Sequence, residues 1–127
     1  MANIDPSVFR AYDIRGVVDR DFDPDWVERL GRALGAFFTG RGRDRVVLGH
    51  DCRHSSPLYA DRLCKGLISQ GMDVILIGMV PTPVFYYAAT RLETRAGVII
   101  TASHNPPEYN GFKIWEGQTT IHTTAIQ

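Results

Sequence analysis

The segment Thr101-Ala102-Ser103-His104-Asn105-Pro106-Pro107 carries the residue types best suited to chemistry. It follows a run of β-branched residues, so Ser103 leaves a strand into a tight loop that fixes its hydroxyl in space. The adjacent His104 imidazole can exchange a proton, and Asn105 can bond the loop backbone. Ser-His-Asn before two prolines is also ordinary turn composition, and residue type alone leaves both readings open. Near the start, Tyr12 and Arg15 make Phe9–Gly16 oddly charged for a buried strand. A planar guanidinium grips phosphate oxygens in paired bonds, so Arg15 suits a phosphate-facing position and Tyr12 could bond a sugar or phosphate beside it. Equally, Arg15 could make a surface pair with Asp13 or Asp19, worth little by itself. His50, Cys52 and His54 alternate like metal ligands, but a transition-metal site needs about four convergent ligands. Cys64, among Leu63 and Leu67, reads as core.

Positioning these residues requires an alternation of short apolar runs and amphipathic stretches, the pattern of βα units around a sheet. Asp23 can cap a helix that opens with Pro24, places Trp26, Leu30, Leu34, Phe37 and Phe38 at helical spacing, and stops at Gly40 and Gly42. Val46-Val47-Leu48 reads as a strand buried on both faces, as does Val74-Ile75-Leu76-Ile77. Between them a helix starts at Ser56-Pro57, buries Tyr59, Leu63, Leu67 and Ile68, and closes at Gly71. Thr82-Pro83 repeats the cap-then-proline start for a shorter helix that ends near Leu92. Gly97–Thr101 is another buried strand, and Gly111–Trp115 a strand beside a turn at Glu116-Gly117. The expected fold is a three-layer α/β/α domain with a mixed, mostly parallel sheet. Ligands of open α/β sheets collect outside the carboxyl ends of the strands, where Asp51-Cys52-Arg53 and Ser103-His104-Asn105 both emerge.

Composition narrows the partners. The 127 residues hold 14 Lys+Arg against 14 Asp+Glu, and basic residues alternate with acidic ones, so nucleic acid is not favoured. The longest apolar stretch falls well below the ~18 residues of a membrane span, and Met1–Asp13 lacks the basic head and apolar core of a secretory signal. Two cysteines make no disulfide framework, so a cytoplasmic location is expected. Thr123–Gln127 looks like the opening turn of a further helix, so residues 1–127 read as a piece of a longer protein.

Four segments in order resemble motifs of the α-D-phosphohexomutases, the superfamily of phosphoglucomutases and phosphomannomutases: Phe9–Gly16, Gly49-His50-Asp51-Cys52-Arg53, Gly97–Pro106 and Asn110-Gly111-Phe112-Lys113. The resemblance spans nearly the whole chain and implies the first, phosphoserine-bearing domain of a four-domain enzyme that interconverts hexose 1-phosphates and 6-phosphates through a hexose 1,6-bisphosphate. It implies that Ser103 carries the phosphoryl group and puts a phosphate oxygen on Mg²⁺, with the other metal ligands on an acidic loop outside residues 1–127. It implies that His104 handles a proton or orients the phosphate, and that Lys113 acts as general base. An isolated lysine on an edge strand, by contrast, would merely solvate that edge. Tyr12 and Arg15 would bind substrate or phosphate. Asp51 would be mainly structural, and Arg53 and Asn105 would sit one layer behind the substrate, with an internal Asp51–Arg53 bridge bracing the loop that faces Ser103. The opening motif favours glucose and mannose phosphates over glucosamine phosphate. By this resemblance 1–127 alone is inactive. The competing expectation is a stand-alone, non-catalytic module that binds a phosphosugar or a protein partner.

Overall fold

Asp23 starts the first helix as its residue type requires. In the computed structural model, which describes residues 11–102 and 105–116, its carboxylate accepts from the Trp26 N–H at 2.7 Å and α1 runs Pro24–Gly40. Around it, in chain order, lie β1 (Ala11–Val17), β2 (Arg45–His50), α2 (Ser56–Ser69), β3 (Asp73–Met79), α3 (Thr82–Arg91), β4 (Ala96–Ile100) and β5 (Tyr109–Glu116). The sheet order is β1-β5-β4-β2-β3. β4 and β3 flank β2 in parallel, whereas β5 is antiparallel to both β4 and β1. Four strands therefore point one way and β5 alone reverses, which makes the sheet mixed and mostly parallel, as expected. The carboxyl ends of β1, β2, β3 and β4 share one rim, and β5 begins there.

The sheet is covered on both faces. α1 and α2 pack one face through Leu30, Leu34, Phe38, Tyr59, Leu63 and Leu67 against Val46, Leu48, Val98, Ile100, Phe112 and Ile114. α3 covers part of the other through Phe85 and Ala89 against Val47 and Ile99. Burying each large aliphatic side chain contributes roughly 1.5–3 kcal/mol, so the α1/α2 side dominates stability. Within it Phe22, Tyr59 and Phe112 form an aromatic cluster, with Phe22 edge-on to the other two.

α1 and α2 cross at glycines. A Cβ on Gly66 would lie 2.7 Å from both the Arg32 nitrogen and the Gly31 Cα, and one on Gly31 would run into the Leu63 carbonyl. Backbone contact turns α2 so that Gly66, not Ile68, faces inward; Ile68 is 56% exposed, against the sequence expectation. β3 also differs from expectation. Its apolar composition suggested burial on both faces, but it is an edge strand, with Leu76 62% and Met79 63% exposed. The β2/β3 register slips between Leu48 and Gly49, leaving Ile77 as an extra residue beside Gly78, whose φ is +78°. Thr82 is the first helical residue and not the cap, which is Pro81. Of the turn expected at Glu116-Gly117, Glu116 is instead the last residue of β5, its buried carboxylate held by Arg43 at 2.9 Å from Nε, and Gly117 lies outside the described residues. Among the described residues no helix is long and apolar enough to cross a membrane.

The helix contact yields a direct test. Gly66→Ala is expected to destabilise the fold by about 1–3 kcal/mol through overpacking, because the obstructing atoms are backbone. Gly40→Ala, where a Cβ meets nothing within 4 Å, should be neutral or mildly stabilising. Urea denaturation of the two variants reads the difference, and equal midpoints would contradict the close contact.

Candidate active site

The rim at the carboxyl ends of the strands gathers two of the polar segments singled out in the sequence. Asp51 follows β2 and Asn105 follows β4, because those strands are parallel neighbours; the Asp51 N–H donates to the Ile100 carbonyl at 2.9 Å. Asp51 Oδ1 accepts from the Arg53 N–H at 3.0 Å and the Ser56 hydroxyl at 2.7 Å, and Oδ2 accepts from Arg53 Nε at 3.1 Å. Burial opposes ionisation of Asp51, but the bonds from Ser56, the Arg53 backbone and Thr101, with the Arg53 charge, outweigh it and hold its pKa below the usual aspartate value.

Arg53 extends this brace across the rim. Its Nη1 donates to the carbonyls of Pro106 at 2.8 Å and Tyr109 at 3.1 Å, and its Nη2 to that of Asn105 at 2.8 Å. One guanidinium, its side chain only 12% exposed, thus grips three carbonyls of a single loop. Its fork of five donors suits this task, which a lysine ammonium could not duplicate. Ser103 and His104, the strongest chemical candidates, lie outside the described residues. The residues that flank them are joined, with the Asn105 N–H donating to the Ala102 carbonyl at 3.1 Å.

The third group lies on the sheet face towards α3. Phe112 and Ile114 face α1 and α2, so Lys113 between them points the other way, beside its register partner Asp13. Asp13 Oδ2 sits 3.0 Å from Arg15 Nη2 and 3.6 Å from Lys113 Nζ. The Asp13–Arg15 pair therefore forms, half exposed, and such a pair is worth at most about 1 kcal/mol. Arg15 Nη1 meanwhile donates to Asn105 Oδ1 at 2.8 Å, joining this group to the loop held by Arg53. β5 lies between β1 and β4, so Lys113 is not on an edge strand as the sequence suggested. The backbone of Tyr12 pairs with Ile114 in the same ladder, while its side chain lies outside the description.

Beside the loop, an open cleft of about 450 Å³ is lined by Arg53, His54, Pro81, Thr82, Asn105 and Pro107 among others. Cys52 is exposed and Cys64 half-buried against the α1/α2 core. Among the described residues no group of three or more His, Cys, Asp or Glu side chains could hold a metal ion. Sequence reasoning overlooked Ser55, took Ser56 only as a helix start and Asn110 only as the opening of a motif; the Asn110 amide donates to Ser55 Oγ at 2.7 Å and Ser56 Oγ at 3.0 Å. A Ser-Ser pair just after Asp-x-Arg, and an asparagine opening an apolar strand, were the available signals.

Residues 6–126 match the family described as phosphoglucomutase/phosphomannomutase, alpha/beta/alpha domain I. The chain is 48% identical over 121 residues to a phosphomannomutase/phosphoglucomutase of Pseudomonas aeruginosa, covering 95% of this chain and 26% of that protein. It is 43% identical over 127 residues to a phosphoglucomutase of Neisseria meningitidis, covering all of this chain and 28% of that one. A crystal structure of a phosphoglucomutase/phosphomannomutase family protein from Burkholderia thailandensis superposes with a TM-score of 0.76 at 38% identity, over 97% of this chain and 30% of its own. The chain thus spans about a quarter of the length of such relatives.

Asp51 makes the rim sensitive to acid. A carboxylate with a lowered folded pKa contributes stability that is fully present above its unfolded value and is lost as pH falls through the folded one. Asp51→Asn is therefore expected to lie below wild type in stability at about pH 6, with the gap narrowing towards about pH 3. Urea midpoints at the two pH values check this; a gap independent of pH would mean that the charge of Asp51 contributes nothing.

Proposed function

Because the chain belongs to the phosphoglucomutase/phosphomannomutase family as its α/β/α domain I, we propose that it is the phosphoserine-bearing domain of a hexose-phosphate mutase acting on glucose or mannose phosphate. The observation that carries this reading is the convergence at one rim of Arg15, Asn105 and the Arg53-held loop that contains Ser103, with Lys113 on the adjoining sheet face.

In this reading Ser103 waits as a phosphate ester. The P–Oγ bond breaks as a new P–O bond forms to a hydroxyl of the bound sugar phosphate, and the proton of that hydroxyl passes to Lys113 Nζ. The released Ser103 Oγ takes up a proton, with His104 beside it in sequence. The resulting hexose 1,6-bisphosphate returns its other phosphoryl group to Ser103 by the reverse steps. Arg15 and Tyr12 bind phosphate or sugar; three of the five N–H groups of Arg15 already engage Asp13 and Asn105. Asp51, Arg53 and Asn105 hold the loop without touching substrate.

Mg²⁺ belongs to the same reading, where it would spread the charge of the transferring group. The described residues do not fit a metal centre by themselves. The ion would need Ser103's phosphate and an acidic loop outside residues 1–127, and the sugar- and phosphate-binding loops would lie there too, so residues 1–127 alone would be inactive. A cytoplasmic location accords with this chemistry.

In the full-length protein, Ser103→Ala is expected to lower mutase turnover by orders of magnitude, since the phosphoryl carrier is lost. Lys113→Met should retain phosphate on Ser103 yet slow its transfer to sugar. Coupled assays with glucose and mannose 1-phosphates, with mass spectrometry of Ser103, check both. Wild-type turnover in Ser103→Ala would remove Ser103 as the phosphoryl carrier, whereas a full-length protein without mutase turnover would leave a phosphosugar-binding or interaction module instead.

A further inference from the structure

The segment that joins β4 to β5 is tied to one carboxylate at its beginning, middle and end. At the beginning, the Thr101 side chain lies close enough to Asp51 to favour its ionised form. In the middle, Arg53, itself held by Asp51, donates to the carbonyls of Asn105, Pro106 and Tyr109. At the end, Asn110 donates to Ser55 and Ser56, and the Ser56 hydroxyl donates to Asp51. Asn110 and Ser56 are both completely buried.

Chemistry gives this chain of bonds a direction. Asp51, when ionised, can only accept, so the one hydroxyl hydrogen of Ser56 goes to it and the oxygen is left to accept. The Asn110 amide supplies the matching hydrogen at 3.0 Å, while its Oδ1 accepts from the Gly111 N–H at 2.8 Å and so fixes which way the amide faces. Ser55 caps α2 without a side-chain cap bond, its oxygen accepting from Asn110. With Ser56 and Asn110 fully buried at its centre, the members of this network orient one another.

We infer that Asn110 and Ser56 are positioning residues for the segment joining β4 to β5: acting through Asp51 and Arg53, they hold the backbone on either side of Ser103 and His104. The consequence for turnover rests on the phosphoserine reading above; the bracing itself rests on the hydrogen bonds alone. Ser56→Ala removes a single oxygen and breaks the chain at its centre. Displacements on the order of 1 Å at a reacting group cost about 100-fold in rate.

The test uses Ser56→Ala, Asn110→Ala and the double variant of the full-length protein. Hydrogen exchange across 101–110, which reports the Asn105 and Tyr109 amides bonded to Ala102 and Pro106, is expected to quicken in Ser56→Ala while β4 keeps its protection. Turnover should fall about 10- to 100-fold with KM within about threefold, and the double variant should lose no more than the worse single one, since both act through Asp51. Unchanged exchange in folded Ser56→Ala overturns the bracing, whatever the activity. Faster exchange with kcat within about twofold of wild type overturns the positioning role. If Asn110→Ala fails to fold, Ser56→Ala decides alone. If Ser103→Ala instead keeps full turnover, the phosphoserine reading falls and the exchange measurement still decides the bracing.

Discussion

A carboxylate placed where water is scarce must be neutralised by neighbours, and the rim of this domain is organised around that necessity at Asp51. Its side chain is 20% exposed and that of Arg53 12%. Removing one partner of this half-buried pair would leave the other charge without its counterion. Asp51 is therefore bound to keep Arg53 close, and Arg53, with donors to spare, is bound to find acceptors. The nearest are the carbonyls of Asn105, Pro106 and Tyr109. A loop with two consecutive prolines, which cannot supply N–H groups to its own ladder, is thereby ordered through its carbonyls instead.

Strand direction sets what this loop can meet. Because β5 runs against its neighbours, the chain returns along the sheet between β4 and β1 instead of crossing over a face. Lys113 then sits opposite Asp13, two residues along the strand from Arg15, and Arg15 reaches Asn105. The α1/α2 layer makes the platform rigid beneath them: Phe112, the neighbour of Lys113, is locked among Phe22, Trp26 and Tyr59. A side chain that emerges from a strand so firmly packed on its other face has little freedom of position.

Much of this was legible in the residues. Asp23-Pro24 and Ser56-Pro57 announce helix starts through chemistry that acts within one turn, and Val46–Leu48 and Gly97–Ile100 announce buried strands through unbroken apolar runs. The rim was legible because two strands followed by polar clusters, if parallel neighbours, must deliver them to the same end. What stayed hidden depends on contacts between distant segments. Val74–Ile77 has the composition of a central strand, and nothing local says that it forms the edge of the sheet among the described residues. Ile68 and Gly66 exchange roles because two backbones touch, which periodicity does not register. Ser56 looked like a helix start and Asn110 like the opening of a motif; that they meet across 54 residues is a property of the assembled sheet.

The slipped register of β3 bears on how the protein behaves when crowded. An edge strand with exposed Leu76 and Met79 offers unpaired amides and carbonyls to any passing chain, the usual beginning of fibrillar aggregates. Ile77 and Gly78 interrupt that template: the extra residue and the positive φ twist the strand after only four regular pairs with β2, from Arg45 opposite Asp73 to Leu48 opposite Leu76. A second molecule could align with so short a straight stretch only briefly. Among the described residues, the bulge thus shortens the straight apolar border along which another strand could stack.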